Sequence, residues 1–216
     1  MTFSLAGRCG RTGMLGAAAA TSSICVGARC PHARAGTGAV LSQFRTDPRL
    51  GARGLELLQA GMLAPDARDA LVSGDPAIAW RQLAIVDRTG GTAVFTGEKV
   101  AELHAAVEGR QCAAAGNILV RTGVAAAMVA GFEAHPADHL ADRLLHALEA
   151  GEAAGGERRQ VKSAALLVVA DHAFPLVDLR VDLDPSPLAR LRFLWELYEP
   201  QMDRMVTQAV EPANLD

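Results

Sequence analysis

Short apolar runs separated by glycine-rich turns fill the first third of the chain, and no stripe of helical period can be drawn through them. Thr2 to Ala6 predicts a strand, Gly7 to Gly13 carries turn chemistry, and Met14 to Thr21 predicts a second strand folding back antiparallel onto the first. Such a hairpin puts Thr21 and Ser22 near Thr2. A loop around Cys30 and Pro31 follows, then a strand from Gly38 to Phe44. Leu55, Leu58 and Met62 fall at helical spacing, and Pro65 with Asp66 and Asp69 opens a second helix.

Leu83 to Val86 and Ala93 to Thr96 flank a turn containing Gly90 and Gly91, which is a hairpin signal. A strand from Cys112 to Val120 precedes two helices, Val124 to Phe132 and Pro136 to Ala150, the latter with Leu140, Leu144 and Leu148 along one face. Ala164 to Val169 reads as a buried strand and Leu176 to Leu183 as one with a wet face. Ser186 caps and Pro187 starts a last helix carrying Leu188, Leu191, Trp195 and Tyr198, which Pro200 bends or stops.

This order suits an α+β domain of two packed antiparallel sheets with helices outside, spanning residues 1–210, with 211–216 a loose tail. It does not suit a βαβ nucleotide fold, and Gly36-Thr37-Gly38 lacks the third glycine and following helix of a dinucleotide fingerprint.

Composition narrows the partners. Of 216 residues half are hydrophobic and 21% charged, the balance of a soluble globular protein. The net charge of −3, scattered arginines and 4% aromatics leave no basic groove or stacking platform, so neither nucleic acid nor a membrane surface is expected. No apolar run reaches the length of a membrane span, and Met14 to Ala20 is too short and Ala-rich for a signal-peptide core, so a cytoplasmic location is expected. Cys9, Cys25, Cys30 and Cys112 show no disulfide or zinc spacing and read as reduced thiols. In the cluster His135, Asp138, His139, Asp142 and His146, the residues His139, Asp142 and His146 share a helix face at spacings a metal could bridge, but the cluster lies away from the leucine stripe, where a solvated face must be; no metal and no cofactor is predicted.

Several stretches point further. They are Thr2-Phe3-Ser4-Leu5, the segment Pro31 to Val40, Gly51 to Leu58, Gly116-Asn117-Ile118-Leu119, Gly155-Gly156-Glu157-Arg158-Arg159, Ser163 to Val169, and Val177 to Asp182. In this order they resemble the bacterial family called domain of unknown function 1028, whose members are assigned to the N-terminal-nucleophile hydrolase fold. The resemblance implies a four-layer αββα sandwich whose first strand presents its terminal residue at a cleft between the sheets.

Thr2 is that residue once Met1 is gone. A threonine hydroxyl is a weak nucleophile without a base, and an N-terminal residue carries one in its own α-amino group, which titrates near 8 in model peptides. Met-Thr alone also opens many proteins without such chemistry. Asn117 and Ser163 are candidate oxyanion donors, though each also reads as an ordinary strand-end polar residue. Thr21 and Ser22 are candidates for substrate binding. The family pattern places a basic residue where this chain has Ser22, and Arg34 is the candidate substitute for a cation that would depress the α-amino pKa.

The resemblance and the Met1-Thr2 start imply an amidohydrolase acting on a small amide, acylated amino acid or short peptide through an acyl-Thr2 intermediate; Ser22 in place of a basic residue points instead to a catalytically inactive sandwich that binds a small ligand or protein partner, for instance through the Trp195 and Tyr198 face. The apolar terminal helix predicts a homo-oligomer under both.

Overall fold

The first hairpin forms as a seven-rung ladder. Strands β1 (Thr2–Arg8) and β2 (Leu15–Thr21) pair antiparallel from Thr2 opposite Thr21 to Arg8 opposite Leu15. Gly13, at φ 77°, takes the left-handed conformation that lets the chain reverse. The computed structural model describes residues 1–101 and 103–215.

Along the chain follow β3 (Pro31–Arg34), β4 (Gly38–Gln43), α1 (Pro48–Gln59), α2 (Ala64–Gly74), β5 (Gln82–Asp87), β6 (Thr92–Thr96), β7 (Ala105–Gly109) and β8 (Cys112–Asn117). Then come α3 (Gly123–Ala134), α4 (Leu140–Ala153), β9 (Ser163–Val169), β10 (Val177–Val181), α5 (Pro187–Tyr198) and α6 (Met202–Val210). The strands make a six-stranded sheet of order β10-β9-β2-β1-β8-β7 and a four-stranded sheet of order β3-β4-β5-β6, with every pairing antiparallel.

Three apolar layers separate four layers of structure. One joins α3, α4 and α5 to the six-stranded sheet through Phe3, Leu5, Phe132, Leu144 and Trp195; another joins α1 and α2 to the four-stranded sheet through Leu58, Leu71, Leu83 and Ile85. Between the sheets the side chains are small, with Ala17, Ala19, Ala113 and Ala115 meeting Ala39, Leu41 and Ala84. The side-chain alternation of a strand assigns the faces: on β1, Phe3 and Leu5 point to the helices while Ala6, and with it Ser4 and Thr2, points to the opposite sheet.

Several local expectations need correction. Cys112 to Val120 is cut short, because Ile118 turns the chain at φ 52°. The helix expected from Pro136 starts at Leu140: Arg11 binds the carbonyls of Pro136, Ala137 and Asp138, and His139 Nδ1 caps Ala141 N at 3.2 Å. Ser186 makes no side-chain cap. Pro200 lies in a short 3-10 turn joining α5 to α6; within the expected tail Pro212–Leu215 forms a further 3-10 turn, and Asp216 lies outside the described residues.

Trp195 and Tyr198 point inward. Trp195 Nε1 donates to Asp142 at 2.9 Å and stacks on His139, and the Tyr198 hydroxyl donates to Leu176 O, leaving Phe193 and Leu197 outside. The face of α4 read as solvated is therefore partly covered by α5. No helix among the described residues is long and apolar enough to cross a membrane.

Candidate active site

Register brings four of the predicted residues into one row. Thr2 is opposite Thr21 on β2 and opposite Asn117 on β8, and Thr21 is opposite Ser163 on β9. Residues directly opposite share a face with Cβ atoms about 4.5–5.5 Å apart, so the row Ser163, Thr21, Thr2, Asn117 lines the end of the inter-sheet space. Thr2 Oγ1 lies 3.3 Å from Thr21 Oγ1, and the Thr21 hydroxyl also donates to Met1 O. A cavity of about 520 Å³ opens there, walled by Met1, Thr2 and Thr21, by Ser23 to Val26, by Arg29 and Cys30, and by Phe44 to Thr46.

Beneath the row lies a polar network buried between the sheets. Ser4 Oγ donates to Gln43 Oε1 (2.6 Å), and Gln43 Nε2 donates to Gln82 Oε1 (2.7 Å), which also accepts from Asn117 Nδ2 (3.1 Å). Gln82 Nε2 reaches Thr96 Oγ1 and the carbonyls of Ala105 and Gly116. Asn117 is thus held by its amide nitrogen, while its buried Oδ1 has no hydrogen-bond partner among the described residues. An acceptor left unpaired at full burial is costly, and this one adjoins Thr2.

Loop anchors fix the walls. Ser163 Oγ donates to Ser23 O at 2.8 Å and accepts from Val26 N at 3.1 Å, so its hydroxyl holds the 23–26 loop rather than facing the cavity. Ser42 Oγ donates to Asp47 O, Arg81 binds the carbonyl of Arg45, and Asp47 caps α1 through Arg49 N. The Arg49 guanidinium holds the Asp47 carboxyl down at about 2. Cys25, Phe44 and Arg45 on the walls, and Ile118 just past Asn117, all have φ between 50° and 58°. Non-glycine residues pay about 1–3 kcal/mol for such a backbone, and strain of this kind gathers at functional sites.

Burial governs the charges. It lowers the pKa of the amine at Met1 below 8.0 against the attraction of Glu157, and the nearby Arg159 lowers it further. Glu157 is itself buried, and desolvation raises its pKa above 4.5 although Ser22, the amine and Arg159 pull the other way; among the described residues neither carboxylate oxygen has a well-aligned hydrogen-bond partner. The turn at Gly155 and Gly156, both at positive φ, and the bridge from Leu119 to Glu157 set this acid beside the start of β1. Burial pushes the Cys30 thiol up to about 12, and all four cysteines are free.

Arg34 stands apart. β3 begins just after Cys30 of the cavity wall and runs about 10 Å from Pro31 to Arg34, whose guanidinium binds Gln59 at the end of α1 rather than lying near Thr2. Arg159 acts on the amine instead, and Arg29 and Arg45 are the charged side chains lining the cavity. Ser22 lies outside the cavity lining, its hydroxyl 3.7 Å from Met1 Sδ. Sequence reasoning missed Gln43, Gln82, Glu157 and Arg159; the only trace was the Gly155 to Arg159 stretch, which carried resemblance but no role.

Residues 2–191 match the model of a family of unknown function, DUF1028. No curated protein matches the chain. Among solved structures, the chain is similar to the crystal structure of protein SPO2555 from Silicibacter pomeroyi, also described as DUF1028, with 35% identity and a TM-score of 0.85 over 91% of this chain and 85% of that one.

Proposed function

The chain belongs to the DUF1028 family, and from that premise we propose that it is an N-terminal-nucleophile amidohydrolase in which loss of Met1 frees Thr2 to attack a small amide, an acylated amino acid or a short peptide. The observation that carries the reading is the position of Thr2: first residue of a central strand, side chain toward the inter-sheet cavity, Met1 preceding it on the cavity wall.

With Met1 hydrolysed away, the neutral amine of Thr2 takes the proton of its own hydroxyl, and Oγ1 adds to the substrate carbonyl carbon. The C–N bond then breaks, the proton leaves on the departing amine, and water cleaves the acyl ester to release the acid and restore Thr2. At Met1 burial lowers the amine pKa, with Arg159 acting in the same direction against Glu157, and the same surroundings would favour the neutral form of a Thr2 amine. Asn117 remains the candidate donor toward the oxyanion through its second amide hydrogen. Ser163 acts as a positioning residue for the 23–26 wall. Arg29 and Arg45 favour substrates bearing a carboxylate, which makes an acylated amino acid the leading class.

The test is intact-mass analysis paired with hydrolysis of an N-acyl amino acid panel. The reading predicts a mass lacking Met1 and loss of turnover in Thr2→Ala. Full activity with Met1 attached, or in Thr2→Ala, ends it, and no turnover of the panel by protein lacking Met1 favours the non-catalytic binding domain.

A further inference from the structure

The α3–α4 connection brings together three groups whose chemistry the proposed hydrolase does not use. Gly131 lets the helices close: a Cβ there would sit 2.8 Å from both His146 O and Ala150 Cβ. One turn later His135 ends α3, its ring centroid 4.4 Å from that of His146. Both rings present a nitrogen to the same carboxylate oxygen, Asp138 Oδ2, at 3.7 Å for His135 Nδ1 and 3.6 Å for His146 Nε2. These gaps exceed a hydrogen bond. They lie a few tenths of an ångström beyond the roughly 3.3 Å edge of a tetrahedron around an ion bound at about 2.0–2.1 Å.

We infer that His135, Asp138 and His146 form a binding site for a divalent transition-metal ion of the zinc type. Two imidazoles and a carboxylate are a common zinc donor set, with water completing the tetrahedron. One donor atom from each residue already falls within 4.8 Å of the others. A second observation is the outer partner of His146: its Nδ1 faces Glu149 Oε2 at 3.4 Å, and Arg192 binds that carboxylate. A carboxylate behind a ligating histidine fixes the tautomer that leaves Nε2 free for metal. Arg11 holds the connecting loop by its carbonyls, so Asp138 is placed before an ion arrives. The site adjoins the tip of the first hairpin, about 20 Å along β1 from Thr2, so it ties α3 to α4 rather than entering the hydrolytic cavity.

Titration of the chelator-stripped full-length protein with ZnCl₂ tests this. The site predicts one saturable equivalent, a higher melting temperature with zinc, and at least about tenfold weaker binding in His135→Ala/His146→Ala. Both rings are partly exposed, so the metal-free melting temperature of that variant should match wild type. Co²⁺ added to the unmodified protein gives an independent reading: a visible spectrum of nitrogen and oxygen donors supports the site, whereas a thiolate charge-transfer band sends the ion to cysteine and overturns it. Absence of saturable zinc binding, or equal affinity in the double variant, also overturns it.

Discussion

Gln82→Met tests whether the network under Thr2 holds the sheets together as described. Methionine keeps the length and burial of a side chain that is 0% exposed, but removes its hydrogen-bonding groups. Two buried donors, Gln43 Nε2 and Asn117 Nδ2, lose the Oε1 they share. Each orphaned group costs about 1–3 kcal/mol, so the expected loss is about 2–6 kcal/mol, a large part of the roughly 5–15 kcal/mol that a domain possesses. Ser4→Ala is the internal control: it removes one donor to Gln43 Oε1, which Cys30 Sγ still approaches at 3.8 Å, and should cost about 1 kcal/mol. Urea unfolding followed by the fluorescence of buried Trp195 measures both, with the slope checked for constancy. A Gln82→Met loss under about 1 kcal/mol, or one no larger than that of Ser4→Ala, refutes the reasoning.

Two other outcomes follow from the site. Glu157 has a folded pKa raised by burial, so the folded state binds the proton more tightly and wild type loses stability as pH rises from 4.5 toward that higher value. Glu157→Gln should lack this slope, and thermal melts from pH 4 to 8 should show its advantage growing with pH; parallel curves would contradict the assignment. Ser163→Ala should leave the fold intact but speed amide exchange at Val26, whose N–H it accepts, and unchanged exchange would show that the hydroxyl does not hold the wall.

Most of this architecture could be read from the order of residues, because its strongest signals are local. The turn from Gly7 to Gly13 and the apolar run after it predict a hairpin that puts Thr21 beside Thr2. Two strands escaped: β3 has four residues and begins with proline, while β7 has five and ends on Glu108 and Gly109, and both are sheet edges where burial imposes little alternation. The polar network escaped for another reason. Gln43 and Gln82 are ordinary residues until two sheets face each other, and the positive φ of Phe44 and Arg45 has no signature in residues that rarely adopt it. Asn117 and Ser163 join the row of Thr2 because both sit at strand ends in register with it, yet their hydrogen bonds give them different duties.

The proposal that loss of Met1 frees the amine and hydroxyl of Thr2 is the centre of the account, and peptide mapping after reaction with a substoichiometric acylating probe examines it directly. The prediction is a single adduct on the peptide that begins at Thr2. Label spread over Lys99 and Lys162 with none at Thr2, or Met1 found on every chain, would contradict it.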